Sequence, residues 1–155
     1  MLQRTPKPGA PGHADRDAGS VVRLFPDYAG SVLWLPQPVD AQPITYEASC
    51  LDRGLVTDLI RWEIAYYDAL DDDFGWQSAA LASAFTADGV ALALRLAVQL
   101  GAGFDVEFAS YEAGVATRRF RSEFPADNPR AAAAFTALAA PRPARPWALL
   151  TRLPR

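Results

Sequence analysis

Histidine and cysteine are almost absent, and their scarcity closes off much chemistry before any motif is read. Cys50, the one cysteine, has no partner for an internal disulfide. His13, the one histidine, lies in a Pro/Gly-rich leader, so a Ser-His-Asp triad, a Cys-His pair and a histidine-based zinc site are excluded from the folded body. Nothing resembles a signal peptide, and no run of about 20 apolar residues suggests a bilayer span. The expectation is a cytoplasmic protein with no membrane contact, no cofactor and no metal. No internal repeat is visible.

Charge is sparse and nearly balanced: 15 basic residues against 18 acidic give a net charge of −3, which does not point to a nucleic-acid partner. Its distribution is uneven. Residues 1–127 hold all 18 acids, whereas 128–155 hold five arginines and no acid. With 155 residues, 50% of them hydrophobic, the chain suits one domain with a sizeable core.

Residues 1–20 mix Pro, Gly, Arg and Asp without periodicity, so this leader is expected to be disordered for lack of apolar surface. Residues 141–155 alternate Pro and Arg and read as an unstructured basic tail. An alternative makes that tail, with Trp147, an adaptor for acidic lipid or nucleic-acid phosphate. The domain then spans 21–140.

Two helical segments from Asp52 to Gly101 organise this domain. Asp52 suits an N-cap, and Leu55, Val56, Leu59, Ile60, Trp62, Tyr66, Tyr67 and Leu70 sweep an apolar arc of roughly 160° at 100° per residue. Glu63 projects into that arc. Ser78 suits the cap of the second helix and Gly101 its end, with Leu81, Phe85, Leu92, Leu96 and Leu100 as the main stripe. Val90, Leu94 and Val98 form another stripe on the opposite side, where a helix packed on one face should be polar. Asp88-Gly89 marks a candidate kink.

Val21–Phe25 and Ser31–Leu35 read as a hairpin, and residues 36–51 as a Pro-containing connection. Phe104, Val106 and Phe108 alternate with Asp105 and Glu107, a strand with one wet face. A returning strand over 116–122 can set Val106 opposite Phe120, Glu107 opposite Arg119 and Asp105 opposite Arg121, each charged pair contributing roughly 0.2–1 kcal/mol. Asn128-Pro129 opens a last helix that Pro141 ends. The expected fold is α+β, an antiparallel sheet of about four strands with two central helices packed on one face, in the order ββααββα.

Three features carry functional readings. Asp71, Asp72 and Asp73, with Asp68 nearby, form an acidic turn: a solvated linker, or a knob presented to a basic partner, since the spacing fits no calcium loop. Glu63 is either a structural acid or a desolvated general acid/base working with Tyr66 or an aspartate. Val90, Leu94 and Val98 should be covered, by the alanine-rich last helix or by a partner or second subunit in a homodimer.

Arg23-Leu24-Phe25-Pro26-Asp27-Tyr28, Leu33-Trp34, Leu59 through Trp62, Tyr66 to Asp71, Ala84-Phe85-Thr86 and Leu96 to Gly101 leading into Val106-Glu107-Phe108 resemble a group of short actinobacterial α+β proteins. The resemblance covers residues 22 to about 140. In size and layout the group is similar to immunity proteins of bacterial toxin systems, which implies a non-catalytic inhibitor showing an acidic surface to a basic toxin. The alternatives are a small enzyme using Glu63 and an adaptor using its basic tail. Because the resemblance begins at Val21-Val22, a valine codon there is a candidate translation start.

Overall fold

The computed structural model describes residues 20–36 and 42–141. Its elements are β1 (Ser20–Leu24), β2 (Leu33–Leu35), β3 (Gln42–Pro43), α1 (Tyr46–Ser49), α2 (Arg53–Asp68), α3 (Ala79–Leu100), β4 (Phe104–Phe108), β5 (Arg118–Phe120) and α4 (Pro129–Ala139). The readings of a leader and of a basic tail fall outside the described residues, except that Ser20 already belongs to β1.

The α+β class holds, with the helices on one face, but the sheet differs from the antiparallel one expected. It has five strands in the order β3-β2-β1-β4-β5, and its central pair, β1 and β4, is parallel, with Val22 opposite Val106 and Leu24 opposite Phe108. A parallel pair needs a long crossover, and α2 and α3 supply it. Alternation in β4 reveals one buried face but not the strand's direction. The extra strand β3 and the single-turn α1 lie in the segment that reads as plain connection. α1 forms because the Thr45 hydroxyl caps the Ala48 N–H, and it ends at Cys50, whose backbone is left-handed with φ 53°.

Elsewhere the local signals hold. β1 and β2 pair antiparallel, and the indole of Trp34 stacks on Phe25 at 5.2 Å while its N–H donates to the Phe25 carbonyl. In the β4–β5 ladder Val106 faces Phe120 and Glu107 faces Arg119, and Arg121 pairs with Asp105 at 2.8 Å. Glu107 also accepts from Arg23 of β1 at 3.1 Å, so one carboxylate joins three strands on the wet face. Asp52 accepts from the N–H groups of Gly54 and Leu55 and caps α2. Gln99, buried near the end of α3, donates to the Asp52 carboxylate and accepts from the side chain of Asn128, the α4 cap. Three helix termini are therefore held by one amide.

The core joins Val22, Leu24, Val106 and Phe108 to Leu55, Leu59 and Trp62 of α2, Phe85, Leu92, Leu96 and Leu100 of α3, and Phe135 of α4. Ile60 and Leu81, placed in the apolar stripes by periodicity, are each 40% exposed instead. They sit at the outer margins of their stripes. α3 is long and apolar enough by length and composition to cross a membrane, which corrects the reading that no stretch is. In this fold its Phe85–Leu100 stripe is instead spent on the sheet and α2.

α3 runs through Asp88-Gly89 without a break. Gly89 serves contact rather than bending: a Cβ there would lie 2.4 Å from Phe108 and 2.9 Å from Trp62. The stacked rings of Trp62 and Phe85, 4.7 Å apart, and the edge of Phe108 occupy the space a side chain would take. Gly89→Ala tests this through the sign of its effect. On helix propensity alone alanine would stabilise by about 1 kcal/mol. Overpacking costs about 1–3 kcal/mol, and the expected result in urea unfolding is a net loss of stability.

Candidate functional site

Because β1 and β4 run parallel, the segments leaving Leu24 and Phe108 emerge side by side, and the turn between α2 and α3 meets them there. The Tyr111 hydroxyl donates to the Pro26 carbonyl at 2.8 Å, the Trp76 indole N–H donates to the Tyr111 carbonyl at 3.1 Å, and the Tyr28 N–H donates to the Tyr67 hydroxyl at 2.7 Å. Tyr66 lies at the centre, its ring within 5.0–5.6 Å of Tyr67, Phe85, Tyr111 and Trp76. Aromatic packing thus runs unbroken from the core to the surface. It ends in Tyr28 and Tyr111, 70% and 42% exposed, and Phe74, 75% exposed, stands on the turn between α2 and α3.

Two of these rings stand on left-handed backbone, Tyr28 with φ 48° and Phe74 with φ 61°. Bulky residues rarely adopt this region, and holding one there costs on the order of 1–3 kcal/mol. Local hydrogen bonds offset the strain. Tyr28 is held by Tyr67, and the Phe74 N–H donates to the Asp71 carbonyl. The Asp71 carboxylate accepts from the N–H groups of Asp73 and Gly75, both at 2.9 Å, so of the three consecutive aspartates it is occupied in shaping the turn. Asp72, Asp73 and Asp68 are exposed.

Charge at this end is mostly acidic, with Arg118 opposite Phe108 at the same edge of the sheet. Segments 26–31, 66–78 and 109–113 contribute Asp27, Asp68, Asp71, Asp72, Asp73 and Glu112 and contain no basic residue. Tyr66 and Tyr67 have their pKa values raised, chiefly by burial, and burial together with Tyr66 and Asp27 pushes Tyr111 up to about 12. These tyrosines are neutral hydrogen-bonding groups at physiological pH.

Glu63, one helical turn before Tyr67, is half-buried, and burial raises its pKa while a hydrogen bond from the Tyr67 hydroxyl opposes the rise. The order Tyr28 N–H to Tyr67 to Glu63 ties this acid to the exposed tyrosine. A groove of about 360 Å³ between α2 and α3 is lined by Asp58, Arg61, Trp62, Asp88, Leu92 and Arg95 among others, and Glu63 is not on its walls. Among the described residues no group of three or more His, Cys, Asp or Glu side chains is placed to hold a metal ion.

The second α3 stripe lies apart from this end. Val90 is half-buried against the core, while Leu94 and Val98 are 50% and 51% exposed. Among the described residues α4, one of the two expected covers, does not provide it. α4 starts against the end of α3, where Asp127 and Asn128 N–H groups donate to the Val98 and Gln99 carbonyls, and it turns its Ala131 and Phe135 into the core.

Sequence reasoning singled out Asp68 and Asp71–Asp73 but not the tyrosines beside them. A signal existed: the pairs Asp27-Tyr28, Asp73-Phe74 and Tyr111-Glu112 each join an acid to an aromatic in a turn. Only the parallel β1–β4 pair shows that the three turns meet.

A one-sided mixed sheet backed by helices, with an acidic aromatic end built from loops, defines a small α+β protein. The family model described as Serratia CdiI immunity protein-like matches residues 20–111, from the first residue of β1 to Tyr111. The chain belongs to that family. No curated protein matches it. The match spans every segment of the acidic aromatic end through Tyr111 and stops before β5 and α4.

The Tyr111 hydroxyl gives the surface a pH signature. Its folded pKa lies above the unfolded value of about 10, so its contribution is complete below pH 10 and is lost as pH rises towards 12. Tyr111→Phe should be less stable than the parent by about 0.5–1.5 kcal/mol below pH 10, for want of the bond to Pro26. The gap should close between about pH 10 and 12. Urea unfolding across that range, alongside tyrosinate absorbance, measures both; a constant gap would refute the assignment.

Proposed function

We propose that the protein is an immunity-type inhibitor that binds a basic toxin domain in the cytoplasm through its acidic aromatic end. Family membership supports a protein toxin as the partner class. The observation that carries the choice of surface is that the three segments bearing exposed Tyr28, Phe74 and Tyr111 hold six carboxylates and no base. Aromatic side chains are the usual anchors of protein interfaces, and a surrounding field of one sign speeds encounter with an oppositely charged partner.

Neutralisation needs no chemistry from this chain. Tyr28 and Phe74 insert into the partner, Asp72 and Asp73 pair with its lysines and arginines, and the occupied surface is denied to the toxin's substrate. Glu63 acts through Tyr67 as a positioning residue for the Tyr28 turn.

Binding kinetics test this with the toxin domain encoded beside the gene. The Asp72→Lys, Asp73→Lys double variant should slow association by about tenfold or more at low salt, with the gap shrinking as salt is added. Tyr28→Ala and Phe74→Ala should instead speed dissociation. Association indifferent to both salt and charge reversal would remove the acidic end from the interface.

A further inference from the structure

The outer face of α3 has a pattern that the described residues do not use. Ala84, Ala87, Ala91, Leu94 and Val98 are all exposed and follow one another at intervals of three and four residues. That is the spacing of the seam by which one helix packs along another. It lies opposite the buried Phe85–Leu100 stripe, so α3 is apolar on two sides and polar on little more than Asp88 and Arg95. At 1.5 Å per residue the 22-residue helix is roughly 33 Å long, and the seam spans most of it.

The seam is graded. Its first half is alanine and its second half carries the larger Leu94 and Val98. A second copy running the same way would set large on large at one end and leave a gap at the other. An antiparallel copy, related by a two-fold axis at Ala91, sets Ala84 against Val98 and brings Ala87 within one residue's rise of Leu94, and the reverse by symmetry. Size is then matched along the whole length.

Charge selects the same arrangement. Asp88 and Arg95 occupy equivalent flanking positions one heptad apart, on the side where antiparallel helices bring like positions together. The same axis brings Asp88 of each copy to Arg95 of the other. Among the described residues Asp88 is exposed and takes part in no ion pair, and the Arg95 guanidinium, which carries five N–H donors, gives one to Asp58 at 2.7 Å.

We propose that two copies of this chain form an isologous dimer through the α3 seam, antiparallel about Ala91, with two reciprocal Asp88–Arg95 pairs. The alanines allow the helix axes to approach closely, and each copy shields Leu94 and Val98 of the other from water. The contact is distinct from the acidic aromatic end and stands independently of the function proposed for it.

Sedimentation velocity on the full chain tests the pairing. Wild type should sediment as a dimer, and Leu94→Glu, an exposed position, as a monomer with an unchanged circular dichroism spectrum. Asp88→Arg alone sets arginine against arginine, and Arg95→Asp alone sets aspartate against aspartate. Each should weaken self-association by about tenfold or more, equivalent to about 1.4 kcal/mol. Mixing the two single variants restores opposite charges at both contacts and should restore the dimer. A monomeric wild type overturns the proposal, as does a dimer indifferent to Leu94→Glu or a pair of charge variants that mixing does not rescue. A monomer that floats with anionic lipid vesicles would give the face to a bilayer and equally overturn it.

Discussion

The absent side chain at Gly89 is the constraint on which the other contacts depend. It lets the Trp62 and Phe108 rings lie against the α3 backbone, where a methyl group would overlap both. Trp62 is then close enough to donate its indole N–H to the Phe85 carbonyl at 3.0 Å, which satisfies a buried donor and fixes α2 against α3. Phe85, stacked on Trp62, becomes the base on which Tyr66, Trp76 and Tyr111 are arranged. The surface aromatics thus inherit their positions from a close approach inside the core.

The second constraint is topological. Parallel pairing of β1 and β4 delivers the ends of both strands to the same edge, and the crossover through α2 and α3 brings its own turn to that edge as well. Three stretches far apart in sequence can then share hydrogen bonds such as Tyr111 to Pro26, separated by 85 residues. An antiparallel pair would have sent Tyr111 to the opposite edge. The family match, which begins with β1 and ends at Tyr111, encloses these segments and stops before β5 and α4.

How much of this was legible in the chain depends on the range of the signal. Caps are local, so Asp52, Ser78, Gly101 and Asn128 marked the ends of helices correctly. The β4–β5 register was legible because two charged pairs and one apolar pair had to agree at once. Strand direction between β1 and β4 had no such marker, since both strands show only which face is buried. β3 and α1 were hidden because two residues and one turn are too short to show a period. At the candidate site the acidic turn stood out by composition, whereas Tyr28 and Tyr111 looked like isolated turn residues. The inward role of Asp71 could not be read at all, because it depends on where the N–H groups of Asp73 and Gly75 point.

Backbone strain links the buried acid to the surface. Left-handed Tyr28 and Phe74 are costly conformations for aromatic residues, and an unconstrained loop would relax out of them. Here each is over-determined: Phe74 by the Asp71 turn, Tyr28 by Tyr67, and Tyr67 in turn by Glu63. Ordering an exposed aromatic before contact removes an entropic cost of roughly 0.5–1.5 kcal/mol per side chain that binding would otherwise carry. A half-buried carboxylate is an expensive way to hold one loop, because burial favours its neutral form. Its presence beside the tyrosine that holds the strained Tyr28 turn is accounted for if the shape of that loop matters more to the protein than the stability lost in fixing it.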